Sequence, residues 1–523
     1  MNRRLVLVVT LPILLIGILG AAFRVQIVGA SGTIYIRADG SVDPPTALIS
    51  SLDNVTYTFT DNINESIFVE RDDIIVDGAN HTLQGTGIGT GIALTIGRSN
   101  VTIKNVEIKE FGLGIKLYEA SNNTISGNNI TDSRWYGIHV DSSSNQNTIS
   151  GNHIANSENY GIYLEISSHN FLNRNLLEGN RYGFGVWGDE LSHYIHSIDA
   201  SNLVDGKPVY YLINQQGITI SPSTHLAVGF LALINSTDTT VEGLTLTKNS
   251  PGLLIAYTNS TKIRDNNITD NKDGIYAYIS SNNTISGNNI TATSENGIDL
   301  YESSNNTISG NSIRDNDYGI YLDYSSSNTL SGNNITNNNR GVWLSWSSNI
   351  TVSGNKIINS TYDGIQLDDS SNNAIIGNNI TKNNIGIYLY DSSNITVSGN
   401  IIMSNDFGIY FEGSSNNSIY HNNFASNTMH VEDPGISITW DDGYPSGGNY
   451  WSDYTDEDLF SGPYQNETGS DGIWDHPFVI DENNQDNYPM VPEFSSLLLL
   501  PLFMTATLLV AILYKRKRSW EQF

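Results

Sequence analysis

Gly319-Ile320-Tyr321-Leu322-Asp323-Tyr324-Ser325-Ser326-Ser327-Asn328-Thr329-Leu330-Ser331-Gly332-Asn333-Asn334-Ile335-Thr336 is one copy of a unit that recurs between Gly114 and Gly408. A glycine is followed by an apolar, a variable and a second apolar residue, then by a polar stretch close to Ser-Asn-Asn-Thr-Ile-Ser-Gly-Asn-Asn-Ile. The glycine returns every 22 or 23 residues at Gly274, Gly297, Gly319, Gly341, Gly364, Gly386 and Gly408, with earlier copies at Gly114, Gly137, Gly161 and Gly183. A fixed period of this size signals one supersecondary unit per repeat, stacked because a single unit cannot bury its own apolar face.

Within the unit, Gly319–Asp323 and Thr329–Ile335 alternate apolar and polar residues with period two, the signal of strands. No repeat has room for the long helical pattern of a leucine-rich or tetratricopeptide unit, and Asn, Ser, Gly and Thr are poor helix formers. The expected fold is therefore all-β, a single-stranded parallel β-helix. Its inward columns read Ile115, Ile138, Ile162, Phe184, Ile275, Ile298, Ile320, Val342, Ile365, Ile387, Ile409 and, two residues on, Leu117, Val140, Leu164, Val186, Ala277, Leu300, Leu322, Leu344, Leu367, Leu389, Phe411. Asn266, Asn288, Asn311, Asn333, Asn355, Asn378, Asn400 and Asn422 share another position. They are expected at turns between sheets, where asparagine tolerates the left-handed backbone and stacked amides can bond to one another. The glycine-marked coils and the earlier ones suggest roughly 14 coils, about 65 Å at about 4.8 Å per coil.

The chain resembles the right-handed parallel β-helix repeat proteins of the NosD type, close to the carbohydrate-binding and sugar-hydrolase β-helix class. The resemblance spans roughly residues 65–490 and is most specific at Asp77-Gly78-Ala79-Asn80-His81-Thr82-Leu83, at Asp205-Gly206-Lys207-Pro208-Val209-Tyr210-Tyr211 and at Gly448-Asn449-Tyr450-Trp451-Ser452-Asp453-Tyr454. It implies the right-handed sense, which parallel crossovers favour generally. NosD-type proteins are accessory factors in maturing a copper enzyme. Copper, however, favours clustered His, Met and Cys ligands. The sequence has no cysteine and 5 methionines, and among its 10 histidines the close pairings are His193 with His196 and Met429 with His430. A copper site is not expected.

The ends differ from the repeat. Met1–Ala30 has basic residues, an apolar run from Leu5 to Phe23 and a small-residue site ending at Ala30, as in a cleaved secretory signal; a retained signal anchor is the alternative. Ser495–Tyr514 is uncharged and is followed by Lys515-Arg516-Lys517-Arg518, which fits one membrane span with a cytoplasmic tail. With Pro492-Glu493-Phe494 before it, residues 492–523 resemble the sorting tails of archaeal and bacterial surface proteins, which a sortase-like protease cuts. These ends predict an exported, membrane-anchored protein with most of its chain outside the cell.

Between the ends the expected parts are an N-terminal cap (31–64), the helix (65–431) with an insertion near 184–251, and an acidic aromatic cap (432–491). Thr33–Ile36 and Val55–Phe59 read as capping strands, and the coil is expected to continue past the loop near Asp189–Gln216. The net charge is −29, from 25 basic against 54 acidic residues. That surface repels nucleic acid and suits a cation-rich exterior. Without cysteine the stacked core must supply the stability. Sequons outside the repeat, Asn54 and Asn466 among them, are the expected glycosylation sites of an exported chain.

Three sets of residues carry the candidate chemistry. The outward column Tyr276, Asp299, Tyr321, Trp343, Gln366, Tyr388, Tyr410, with Tyr278, Tyr301, Asp323, Ser345, Asp368, Tyr390, Glu412 two residues on, combines rings and hydrogen-bonding acids on one face. Tyr276, Tyr301, Tyr321, Trp343, Tyr388 and Tyr410 are the expected glycan platforms, for polysaccharide or surface-layer glycan; cross-strand stacking alone is the competing explanation. For a glycoside hydrolase or lyase, two or three carboxylates must converge, and Asp299, Asp323, Asp368 and Asp369 come nearest. The polygalacturonase signatures and a lyase pattern of arginine beside calcium-binding acids are absent, so binding without turnover is favoured. Calcium is the candidate cofactor, on Asp453, Asp456, Asp458, Asp471 and Asp475, with Asp481 and Asp486 nearby, in a cap without lysine or arginine; a solvated acidic surface is the alternative.

Overall fold

The computed structural model describes residues 32–434 and 437–492. The signal-like segment and the tail from Glu493 onward lie outside them, and among the described residues no helix is long and apolar enough to cross a membrane. The chain is an all-β, right-handed parallel solenoid of about 17 turns. The estimate of about 14 falls short because the first coils, and those of the insertion, lack the glycine used for counting.

Each full coil contributes one strand to each of three sheets. In the unit opened above these are Tyr318–Asp323, Thr329–Ser331 and Asn334–Thr336. Parallel pairing puts Ile320 beside Val342 and Leu322 beside Leu344 in the next coil. Both inward columns are buried along their length, so alternation in the sequence becomes one continuous core.

The repeat glycine is required by close approach, not by its dihedral angle. A Cβ at Gly319 would lie 2.5 Å from the Gly341 carbonyl oxygen and 2.8 Å from Ile335 Cγ2. The asparagines form the amide ladder expected of them: Asn333 Nδ2 donates to Asn355 Oδ1 at 2.9 Å, while Asn311 Nδ2 donates to Asn333 Oδ1 at 3.0 Å. They are not the left-handed residues, however. That conformation belongs to the residue before, such as Gly332 at φ +62°, which turns the chain so that the next side chain points inward.

The insertion changes the stacking. Leu203–Val204 and Lys207–Ile213 form an antiparallel hairpin across Asp205-Gly206, both residues at positive φ. Asp-Gly is a favoured type I′ pair, so this reversal is written locally. Through it, the third sheet of the first stretch continues into the glycine-bearing sheet of the second, which runs to Met429–Glu432. The end of the first stretch packs on the outer face of the second: Ala232, Leu254, Ala256 and Tyr278 join the same core cluster as Phe184, Val186 and Tyr194. Across this seam Tyr160 Oη meets Ser250 Oγ at 2.8 Å, Tyr182 Oη meets Ser294 Oγ at 2.6 Å and Tyr278 Oη donates to the Asp189 carbonyl at 2.5 Å.

At the N-terminus Thr33–Ile36 and Thr56–Phe59 are rungs of two sheets, flanked by the antiparallel Val42–Asp43 and Ile49–Ser50. At the other end Trp440 and Trp451 are buried, whereas Trp474 is only partly so. Trp451 stacks on Phe424 at 4.5 Å and continues the last sheet of the helix.

Candidate functional site along the glycine-bearing sheet

Pairing in register forces every second residue of this sheet onto one outer face. Tyr276, Asp299, Tyr321, Trp343, Gln366, Tyr388 and Tyr410 are therefore consecutive neighbours in space, as the repeat spacing predicted. The face is not uniform. Tyr276 and Tyr301 pack against the core cluster that includes the seam, and Tyr301 stacks on Tyr278 at 5.8 Å. Further along, Trp343 lies 4.7 Å from Tyr321 and 5.3 Å from Tyr318, which makes a three-ring platform. Tyr388 and Tyr410 form a second pair at 5.3 Å, with Tyr388 Oη donating to Glu412 at 2.6 Å.

Residues just before the repeat glycine, which the sequence reading did not select, complete the platform. Arg340 lies 5.6 Å from the Tyr318 ring, 5.7 Å from Trp343 and 5.1 Å from Tyr362. Its Nε donates to the buried Asp363 at 3.0 Å. Burial raises the Asp363 carboxyl above the usual range, and the arginine opposes that shift. The available signal was that each long strand starts one residue before its glycine, which puts Asn296, Tyr318, Arg340 and Asp363 on the outer face.

The four candidate catalytic carboxylates separate into three environments. Asp299 and Asp323 lie on adjacent rungs, each with one covered oxygen, Oδ1, that has no hydrogen-bond partner. Asn296 Nδ2 bridges Asp299 Oδ2 and Asp273 Oδ1 at 3.0 Å each, so Asp273 joins this cluster although the sequence did not single it out. Burial, then Glu295, pushes the Asp273 carboxyl up to about 6, with Lys272 opposing. Burial, then Asp273 and Asp323, holds Asp299 well above the ordinary carboxylate value. Asp368 instead accepts bonds from Trp343 Nε1 at 2.8 Å and from Gln366 Nε2. Asp369 is beyond the strand, at a left-handed corner.

The cap aspartates are spread over several contacts. Asp453 meets His430 at 3.1 Å, Asp456 meets His476 at 2.7 Å, and Asp458 accepts from Ser470 Oγ and the amides of Asp471 and Gly472. Asp471 accepts from Gln465, Asp475 from the amides of Leu459 and Phe460, and Asp481 from Asn483 and Asn484. Among the described residues, the His, Asp and Glu side chains whose ligand atoms lie within 4.8 Å of one another are His139, Asp141 and Glu165, and Lys116 already reaches Asp141 at 3.3 Å.

Asp486 is wholly buried and accepts from the Asn449 amide at 2.7 Å and Trp451 Nε1 at 2.9 Å. Burial pushes its carboxyl up to about 7 despite those bonds. The folded cap thus holds a proton that the unfolded chain releases near pH 4. Cap stability is expected to fall as pH rises from about 4 to about 7 and to level off above. Trp451 fluorescence during urea unfolding at several pH values checks this, and Asp486→Asn should flatten the dependence.

The histidines of the two close pairs have partners within the protein. His196 has both ring nitrogens on backbone groups, the Asn170 amide and the His193 carbonyl, and burial pushes it down to about 3. His193 is held by Asp189 at 2.8 Å, and His430 lies between Asn427 and Asp453.

Comparison with known proteins places this architecture. The family model described as "Right handed beta helix region" matches residues 50–196 and 211–357, and "Periplasmic copper-binding protein (NosD)" matches residues 308–456. No curated protein matches the chain. Similar solved structures include the periplasmic alginate epimerase AlgG, at 15% identity with 75% of this chain and 78% of that one covered and a TM-score of 0.35. The A-module of a mannuronan C-5 epimerase from Azotobacter vinelandii aligns at 15% identity, covering 72% and 89%, with a TM-score of 0.25. XylC in complex with xylose aligns at 13%, covering 53% of each chain, with a TM-score of 0.30. The gap between the two matched segments, 197–210, contains the turn and the paired residues of the hairpin at the seam. The chain belongs to the right-handed β-helix family, and residues 308–456 are similar to the NosD family model.

Proposed function

We propose that this β-helix is an exported surface module that binds polysaccharide along the outer face of its glycine-bearing sheet without turning it over. The observation that carries this reading is the platform of Tyr318, Tyr321 and Trp343, flanked by Asp323, Arg340, Asp363 and Asp368. Aromatic planes match the apolar faces of sugar rings, and the flanking polar groups match their hydroxyls. Sheet stacking alone needs neither a buried aspartate paired with a partly exposed arginine nor an indole N–H fixed by a carboxylate. A glycan array on the protein, followed by reducing-sugar assays on each hit, tests the proposal; absence of binding would favour an accessory role with a protein partner. Trp343→Ala should weaken glycan binding about tenfold or more, the usual effect of removing a central tryptophan, with circular dichroism unchanged. Unchanged affinity would move the site elsewhere.

A second reading, a polysaccharide-processing enzyme, is favoured by one observation. Asp273, Asn296 and Asp299 form a bridged pair of carboxylates with raised proton affinity at the inner end of the same face. Such pairs suit general acid–base work on a glycosidic bond. Release of reducing ends from an array hit, abolished by Asp299→Asn, would establish it. For anchoring, mass spectrometry of the native protein shows whether the peptide after Phe494 is retained, and release of the intact chain by salt alone would refute membrane attachment.

A further inference from the structure

Where the two stretches meet, a pocket of about 370 Å³ opens between the corners of three earlier coils and two later ones. That volume is near the lower end for small-ligand pockets, about 300–1,000 Å³, so it holds a short piece of chain. Its walls carry Arg134 and Arg181 from the first stretch and Lys272 from the second, in a protein with a net charge of −29. Lys272 is paired with Glu295 at 3.3 Å, but among the described residues neither arginine forms an ion pair with a carboxylate. The Arg181 guanidinium lies 5.3 Å from the Tyr182 ring, and Tyr182 is fixed across the seam by its bond to Ser294. Trp135, 46% exposed, provides a flat wall; its ring lies so close over Gly112 that a Cβ there would meet it at 2.9 Å.

The backbone that presents these groups is rigid. The Arg134 amide donates to the Phe111 carbonyl at 2.8 Å, and the Arg181 amide donates to Ser157 at 3.0 Å. Guanidinium groups recognise planar oxyanions through paired N–H donors, and an indole face beside them accepts the apolar side of a sugar ring. Glu158, also on the wall and without an ion pair among the described residues, is placed to accept sugar hydroxyls. At physiological salt the general acidity of the protein is screened beyond about 8 Å, so local charge decides what enters.

We infer that this seam pocket binds an anionic sugar unit, its carboxylate or sulfate held by Arg134 and Arg181 and its ring set against Trp135. The inference deepens the polysaccharide reading and rests on it. Lys272 and Glu295 immediately precede Asp273 and Asn296, so the pocket adjoins the inner end of the aromatic face. An acidic glycan end would enter the seam while the rest of its chain follows the sheet.

Calorimetry on the full-length protein with trigalacturonate, a sulfated trisaccharide and a neutral trisaccharide tests the inference. At least one acidic ligand should bind tenfold or more tightly than the neutral one, and the tighter of the two identifies the anionic group. Arg134→Gln with Arg181→Gln should remove that preference. Glu158→Gln should tighten acidic binding severalfold by removing a like charge, which provides a test even if the double variant does not fold. Trp343→Ala should lower affinity for long glycans while the acidic preference persists, which separates this site from the aromatic platform. No acidic preference, or a preference unchanged in the arginine variant, would overturn the inference.

Discussion

Replacing Asn333 with alanine is expected to destabilise the coils around it by about 4–6 kcal/mol. The side chain is 1% exposed and sits in the middle of the amide ladder. Its Oδ1 accepts from the Asn311 amide and from Asn311 Nδ2, and its Nδ2 donates to the Ile308 carbonyl and to Asn355 Oδ1, all between 2.9 and 3.0 Å. Alanine would leave the Asn311 amide buried without an acceptor, at about 1–3 kcal/mol, and would remove three further bonds of about 1 kcal/mol each. Asn334 is chemically identical and adjacent, but exposed, and its loss should stay within about 0.5 kcal/mol. Hydrogen exchange of residues 311–355 measures the difference coil by coil, which suits a solenoid whose stability sums over neighbouring repeats. Equal effects of the two substitutions would show that the ladder contributes nothing beyond its place in the turn.

The second large effect is expected at the repeat glycine. Gly319→Ala puts a methyl group 2.5 Å from a backbone oxygen of the next coil, and that oxygen belongs to a strand held on both sides. Neither neighbour can give way without opening the ladder, so a loss of about 3 kcal/mol is expected, at the upper end for overpacking. Gly332→Ala is the contrast. Gly332 has φ +62° and nothing near its missing Cβ, so alanine there meets only the strain of the left-handed conformation, about 1–2 kcal/mol. Urea unfolding that ranks Gly332→Ala above Gly319→Ala would contradict the close-approach explanation. The first glycine is required by packing and the second is favoured by backbone geometry, so Arg174, Asp265 and His421 can stand at the second position, each at positive φ.

The candidate site was legible where it depends on register and hidden where it depends on the seam. Tyr321, Trp343, Tyr388 and Tyr410 follow from counting, because a constant period returns the same face at every coil. Arg340 and Tyr318 needed only the strand to be started one residue earlier. Asp273 and Asn296 stand in that same column, before Gly274 and Gly297, but the burial that raises the Asp273 carboxyl was not readable from it. Tyr276 illustrates the opposite outcome. Counting placed it on the outer face, but the end of the first stretch packs over that part of the face.

The coil is legible in the residues alone: period two within strands, a glycine where backbones touch, asparagine where an amide must be satisfied inside a turn. Each of these is local or repeats at a fixed separation, so one unit read correctly describes all that follow it. The reversal at Asp205-Gly206 was also written locally, as a type I′ pair, although its consequence was not. The docking of the first stretch on the second, the residues it covers, and the sharing of one pocket by Arg134, Trp135, Arg181 and Lys272 come from the folded chain. These contacts join residues with no common period, and their geometry follows from how two apolar surfaces exclude water together.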